Sequence, residues 1–284
     1  MISRLKPLWH RIYSDFLMPS RLDVYHDLLK SARDQGYETH SIYSFWQAVK
    51  EARQVDASRR YLILRHDVDT DPHTAEKMWN LETALGCISS YYFRLCTVTP
   101  SLMKQMHAAG FEASYHYEEV AAVAKRRGLS SWPEIQKAMP EIRALFRDNL
   151  TRLREITGLP MRGVASHGDF VNRKLNVINT VILEDARFRE ELGIDVEAYD
   201  AVIEDQIRFR ASDCPYPRFW QPGDPATAIR ERQPVVYVLT HPRHWRTCVS
   251  ANAMDNVFRL WEGAVYWYKT AAGAGSGERA IAKQ

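Results

Sequence analysis

From Tyr61 onward the chain alternates short apolar runs with amphipathic segments, and this alternation limits the fold more than any other feature of the sequence. The starts of the amphipathic segments are well marked. Asp71-Pro72, Thr99-Pro100 and Asp224-Pro225 each place a capping side chain before a proline suited to the first helical position, and Ser131-x-x-Glu134 has the spacing of a capping box. The spacing predicts strands at 61–64, 89–95, 112–115, 163–166, 207–211 and 235–239, with helices filling most of the gaps. Such repeated strand-helix units build a parallel sheet or barrel. Residues 1–60 read as two or three helices leading into the first strand, an N-terminal helical extension with no linker composition to cut it off. Residues 61–270 then form the α/β unit. The stretch 271–284, with Ala-Gly-Ala-Gly-Ser-Gly followed by charges, offers too little apolar surface to bury and is expected to be a flexible tail.

Composition narrows the class of function. Apolar residues make up 45% of the 284 and charged residues 26%, the proportions of a folded protein with a sizeable core. A net charge of +3 is too small to argue for nucleic acid, because phosphate binding needs clustered Lys and Arg, and runs such as Lys125-Arg126-Arg127 are short. The cysteines Cys87, Cys96, Cys214 and Cys248 form no CxxC pair, so neither a zinc knuckle nor a disulfide framework is indicated, and a reducing compartment fits. Arg4, Lys6, His10, Arg11 and Asp15 interrupt the first 20 residues and exclude a continuous signal-peptide core or membrane span there, so a cytoplasmic location is expected. The same segment sets Leu5, Leu8, Trp9, Ile12, Tyr13 and Phe16 at helical spacing. Packing against the body of the protein is the reading taken, with contact to a membrane surface as the alternative. No Gly-x-Ser-x-Gly elbow, Walker loop or dinucleotide fingerprint is present.

Residues able to bind metal or move protons cluster just after the expected strands. Asp67 and Asp69 follow the first, His116 the third, His167 the fourth, and Asp213 and His241 later ones. In a parallel α/β architecture the C-terminal strand ends share one face, so these distant residues would converge on one site. Any one of these histidines taken alone reads as a structural residue; together they read as a site. Two carboxylates as close as Asp67 and Asp69 repel, and a bound metal ion relieves that repulsion. An Asx turn or helix cap accounts for Asp71 but leaves Asp67 and Asp69 unexplained. His73 and His107 fall within expected helices and carry no signal of their own. Trp220 and Trp245 follow strand ends near Asp213 and His241, where each either stacks on a sugar or packs in the core.

This arrangement resembles the carbohydrate deacetylase (NodB-like) family. Arg65-His66-Asp67-Val68-Asp69 resembles the first motif, which supplies an Asp base and an Asp metal ligand. Gly110-Phe111-Glu112-Ala113-Ser114-Tyr115-His116 is similar to the second, in which the His binds the metal. Val164-Ala165-Ser166-His167-Gly168 stands at the third, Ser212-Asp213 at a later Asp element, and Val238-Leu239-Thr240-His241-Pro242 at the closing Leu-x-His motif that supplies the acid. The resemblance spans roughly residues 60–245 and implies a distorted (β/α) barrel of the NodB-homology type. The chain also departs from the pattern. The second metal His of the family lies four residues after the first, and here that position is Val120. His167 is the first choice to replace it, Glu118 the second and His66 the third. The Arg of the third motif is absent too, with Val164 four residues before Gly168, which leaves Arg65 or Arg162 to orient the base.

The resemblance implies a hydrolase that removes an N-acyl group, acetyl or formyl, from an amino sugar. One divalent ion would be held by Asp69, His116 and His167, Zn²⁺ by default of ligand type, with Ni²⁺ or Co²⁺ as alternatives. Asp67 would act as base and His241 as acid, with Asp213 favouring the imidazolium. A cytoplasmic enzyme would meet a nucleotide-linked or lipid-linked precursor of a surface polysaccharide such as O-antigen or lipopolysaccharide. The competing class is a non-catalytic carbohydrate-binding protein on the same barrel.

Overall fold

The computed structural model describes residues 2–281 and contains nine strands: β1 Tyr37–His40, β2 Arg60–Val68, β3 Ser90–Phe93, β4 Glu112–Tyr117, β5 Gly163–Ser166, β6 Val196–Glu197, β7 Phe209–Asp213, β8 Trp220–Gln221 and β9 Val235–Thr240. They form one sheet in the order β6-β5-β4-β3-β2-β9-β7-β8, with β1 paired to β2 outside that path. Among the described residues all pairings are parallel except β7 with β8. The fold is α/β with a mostly parallel sheet that ends at β6 and β8 without closing.

The Tyr61-Leu62-Ile63-Leu64 run is buried on both sides, as strands covered by helices on one face and by a core on the other must be. Alternate residues divide between two cores. Tyr61 and Ile63 enter an inner cluster with Tyr92 of β3, Ala165 of β5, Val196 of β6 and Val235 and Tyr237 of β9, while Leu62 and Leu64 join an outer cluster with the helix Leu22–Asp34. β6 and β9 lie far apart along the sheet yet feed the same inner cluster, so the sheet curls around it. The helices Pro72–Leu85, Pro100–Ala108 and Trp132–Thr157 supply Ala75, Met103, Met106, Ile142 and Phe146 to a third cluster on the β3–β5 side.

Most expected helix starts carry the expected bonds. The Asp71 and Asp224 carboxylates accept the amides of Thr74 and Ala226, and Glu134 accepts those of Ser130 and Ser131. Thr99 is a correction: it makes no side-chain cap bond, because its hydroxyl donates to the Thr97 carbonyl instead. Residues 1–60 are not helices alone. β1 pairs with residues 60–63 of β2, and the helix Ile42–Val49 buries Ile42, Phe45 and Val49 in the inner cluster. The helix Val249–Ile281 runs through most of the expected tail, and residues 282–284 lie outside the described residues.

Candidate metal centre

Because the strands run parallel, the C-terminal ends of β2, β4, β5, β7 and β9 open on one rim. Asp67 lies on β2 and Asp69 just beyond it, where the Asp69 amide donates to the Asp67 carbonyl 3.0 Å away and turns the chain inward. His116 on β4 pairs in register with Ala165 on β5, and the His167 amide donates to the Tyr117 carbonyl, so His167 continues the same ladder. In-register neighbours on parallel strands share a face, and residues two apart on one strand do too. His116 and His167 therefore face the same side.

Three atoms meet there. Asp69 Oδ1 is 3.5 Å from His116 Nε2 and 3.2 Å from His167 Nδ1, and the two nitrogens are 3.2 Å apart. Tetrahedral zinc with N and O ligands has ligand–ligand edges of roughly 3.3–3.5 Å, so the triangle has the size that such an ion requires. The triangle is not explained by ordinary hydrogen bonding. Asp69 Oδ1 is buried and makes no hydrogen bond of acceptable geometry despite its two imidazole neighbours, and a buried carboxylate oxygen left this way is costly. His116 is oriented as a ligand: its Nδ1–H donates to the Ala165 carbonyl at 3.0 Å, which leaves the Nε2 lone pair facing Asp69 and His167. Burial pushes the His116 imidazole down to about 4, against the opposing pull of Asp67, so it is neutral at pH 7 and free to donate that lone pair.

Two other groups have metal-capable atoms close together, Glu118-His167-Asp169 and Asp213-His241-His244. In each the carboxylates already have partners, although His244 Nδ1 makes no hydrogen bond of acceptable geometry. Arg94 forks onto Glu118 with contacts of 2.8–3.1 Å, and Lys125 sits 3.0 Å from Asp169. Asp213 accepts the His241 amide at 2.8 Å, His241 Nδ1 at 2.7 Å and the Trp245 indole N–H at 2.9 Å. The Asp69-His116-His167 set is the one with an unanswered charge, and its residues fit a divalent ion.

The remaining candidates separate cleanly. Asp67 is gripped by Arg65, Nε to Oδ1 at 2.7 Å and Nη2 to Oδ2 at 2.9 Å, and its Oδ2 stands 3.3 Å from His116 Nε2. Burial would raise the Asp67 carboxyl, but Arg65 and His116 outweigh it and hold the group below the ordinary carboxylate value. Arg65 is fully buried beneath the rings of Tyr92 and Tyr199. Of the two arginines considered for orienting Asp67, Arg65 is the one that touches it, while the Arg162 guanidinium pairs with Asp195 at the surface. His66 is excluded as a ligand. It points to the opposite face of β2, where Glu82 and Thr240 hold its two nitrogens at 2.7 and 2.6 Å. Val120, on the helix Glu119–Arg127, is fully buried in the third cluster.

On the far side of the rim, burial would lower the His241 imidazole, but Asp213 overrides it and pushes the group up to about 9. Of the two roles left open for Trp220 and Trp245, sugar stacking or core packing, the structure shows core packing. Both are buried against one another, with ring centroids 5.6 Å apart, and Trp245 serves to hold Asp213. Sequence reasoning missed His244, whose Nδ1 lies 3.1 Å from Asp213 Oδ1; its position three residues after His241 on one turn was the available signal. It also missed Arg94, for which a lone Arg after β3 gave none.

Two clefts of about 480 and 330 Å³ meet at Asp69, the first lined also by His241 and His244, the second by His167. Both ends of the chain wall them. Arg243 reaches Asp15 at 3.1 Å and Asp255 at 2.5 Å, and Asn252 donates to the Asp15 carbonyl.

No family model matches the chain, and no curated protein matches it. Among solved structures it is similar to the peptidoglycan deacetylase PdaC from Bacillus subtilis, at 15% identity and a TM-score of 0.36, over 79% of this chain and 98% of that one. It is similar also to BA3943, a CE4 family pseudoenzyme from Bacillus anthracis, at 13% identity and a TM-score of 0.36, over 77% of this chain and 76% of that one. These likenesses are distant.

Proposed function

We propose that the protein is a metal-dependent hydrolase that removes an acetyl or formyl group from the nitrogen of an amino sugar, in a precursor of a surface polysaccharide. The observation that carries this reading is the Asp69-His116-His167 triangle lying on one rim with a carboxylate held ionised by Arg65 and an imidazole held protonated by Asp213. A divalent ion held by the triangle would polarise the amide carbonyl and lower the pKa of a water molecule toward 7.

The chain's own groups supply the proton traffic. Asp67 is ionised and accepts the proton of the attacking water, and the Arg65 fork disfavours the protonated acid, so the proton is readily passed on. His241 remains an imidazolium at neutral pH and donates to the departing amine, which is a poor leaving group until protonated. The four cysteines are all free, which supports the cytoplasmic location proposed for it.

The test is direct. Protein purified without chelators is assayed for bound metal and for amine release from N-acetyl and N-formyl amino sugars with Zn²⁺, Co²⁺ or Ni²⁺ added. Stoichiometric ion and release that disappears in Asp67→Asn support the reading. Absence of both leaves a non-catalytic carbohydrate-binding protein as the better account.

A further inference from the structure

The helix Val249–Ile281 has its polarity reversed. Its polar side chains face the protein: Asn252 donates to the Asp15 carbonyl, Asp255 meets Arg243, and Glu262 lies 2.9 Å from Lys125. The opposite side, at spacings of three and four residues, carries Met254, Val257, Trp261, Ala264 and Tyr268, all exposed, with Met254 at 73% and Tyr268 at 71%. A stripe of this length without a charge is not a solvated surface, since a helix presents its polar face to water unless something apolar covers the other. No helix among the described residues is long and apolar enough to cross a membrane, so the stripe is not a span.

Two features identify the cover. The face is rich in Trp and Tyr, whose rings combine an apolar body with a polar edge and settle at the headgroup level of a bilayer. Three cations near it have no carboxylate partner. Arg173 and Lys269 donate to the backbone carbonyls of Gly168 and of Lys125 and Arg126, Lys174 lies over the Tyr266 ring, and none forms an ion pair with a carboxylate among the described residues. Such charges complement anionic headgroups, whereas they would confront their own copies in a symmetric dimer built on this face. Phe258 and Leu260 carry the apolar surface to the lip of the cleft that holds Asp69 and His167. The N-terminal helix Ile2–Ile12, tied on by Arg11 to Asn256, adds exposed Leu8 and Trp9.

We propose that the outward face of the helix Val249–Ile281 seats the protein on the surface of an anionic lipid bilayer, with the mouth of the catalytic cleft at the membrane. Resting on the deacylase reading above, the substrate is then an acylated amino sugar on a lipid carrier, its sugar in the cleft and its apolar chain along Phe258 and Leu260.

Flotation of the full chain with phosphatidylglycerol–phosphatidylcholine vesicles, against vesicles of phosphatidylcholine alone, tests the docking without any catalysis. The protein should float with the anionic vesicles, weakly with the neutral ones and less as salt is raised. The double variant Val257→Asp, Trp261→Asp alters only exposed side chains. It should keep its circular dichroism, melting and metal content while partitioning about tenfold more weakly or worse. No binding to anionic vesicles, or equal binding by the variant, overturns the proposal. So does a concentration-dependent dimer that the same variant dissociates. Flotation without amine release would leave the docking standing and defeat the deacylase reading; amine release without flotation would do the reverse.

Discussion

His167 Nδ1 stands 3.2 Å from both Asp69 Oδ1 and His116 Nε2, so a residue from β5's end completes a triangle with side chains from the end of β2 and from β4. The third corner of the proposed metal site is therefore set by strand register, not by a helical turn.

Metal content is the first consequence. His167→Ala should weaken ion binding by about 100-fold or more, and Glu118→Ala, which frees Arg94 but removes no corner of the triangle, should remain loaded at micromolar metal. Elemental analysis after exhaustive dialysis decides it. Full occupancy in His167→Ala would remove His167 from the site.

Placing a histidine where the carbohydrate deacetylase pattern has its second one should not help. Val120 is fully buried among apolar neighbours, and its amide donates to Asn179 Oδ1. Val120→His would force a larger polar ring into that packing and cost about 1–3 kcal/mol of stability, with no gain in metal affinity. Tighter metal binding in this variant, measured by competition with a chelating dye, would show that the helix Glu119–Arg127 reaches the ion after all.

Arg65 and Asp67 form a buried ion pair in which each partner neutralises the other. Arg65→Ala leaves the Asp67 charge stranded and should lower unfolding free energy by about 3–5 kcal/mol in a denaturant titration. Arg65→Lys keeps the charge but not the fork, so it should fold and lose kcat with KM little changed. An unaltered kcat in that variant would deny the fork a part in catalysis.

The pH dependence follows from Asp213. His241 has a folded value of about 9 against an ordinary 6.5. Its stabilising contribution is thus fully present below 6.5 and is lost as pH rises through about 9. Activity that needs the imidazolium should fall over the same alkaline range. In Asp213→Asn burial acts with less opposition, and the alkaline limb should move down by at least about one pH unit. A limb that stays near pH 9 in this variant would mean that another group is the acid.

Much of this was legible beforehand because the informative signals are local. The 61–64 run, the 112–115 run and the proline-marked helix starts specify the parallel strands, and a parallel sheet then forces Asp67, Asp69, His116, His167, Asp213 and His241 toward one rim. What was not legible depends on partners far away. β1, Tyr-Glu-Thr-His, buries only its tyrosine fully and reads as polar; it becomes a strand because the edge of β2 is open to it. The sequence position of Trp245 left sugar stacking and core packing equally open. Its role is decided by Trp220, Tyr25 and Asp213, which only the folded chain brings to it.

The two carboxylates that share Arg243 come from opposite ends of the polypeptide, Asp15 before the first strand and Asp255 after the last, while Arg243 itself lies two residues beyond His241. The loop bearing His241 is thus clamped from both sides of the sequence at once. Trimming the chain back past either carboxylate would unclamp the loop that carries His241, so the smallest fragment that keeps this geometry extends well past the residues whose motifs carry the resemblance.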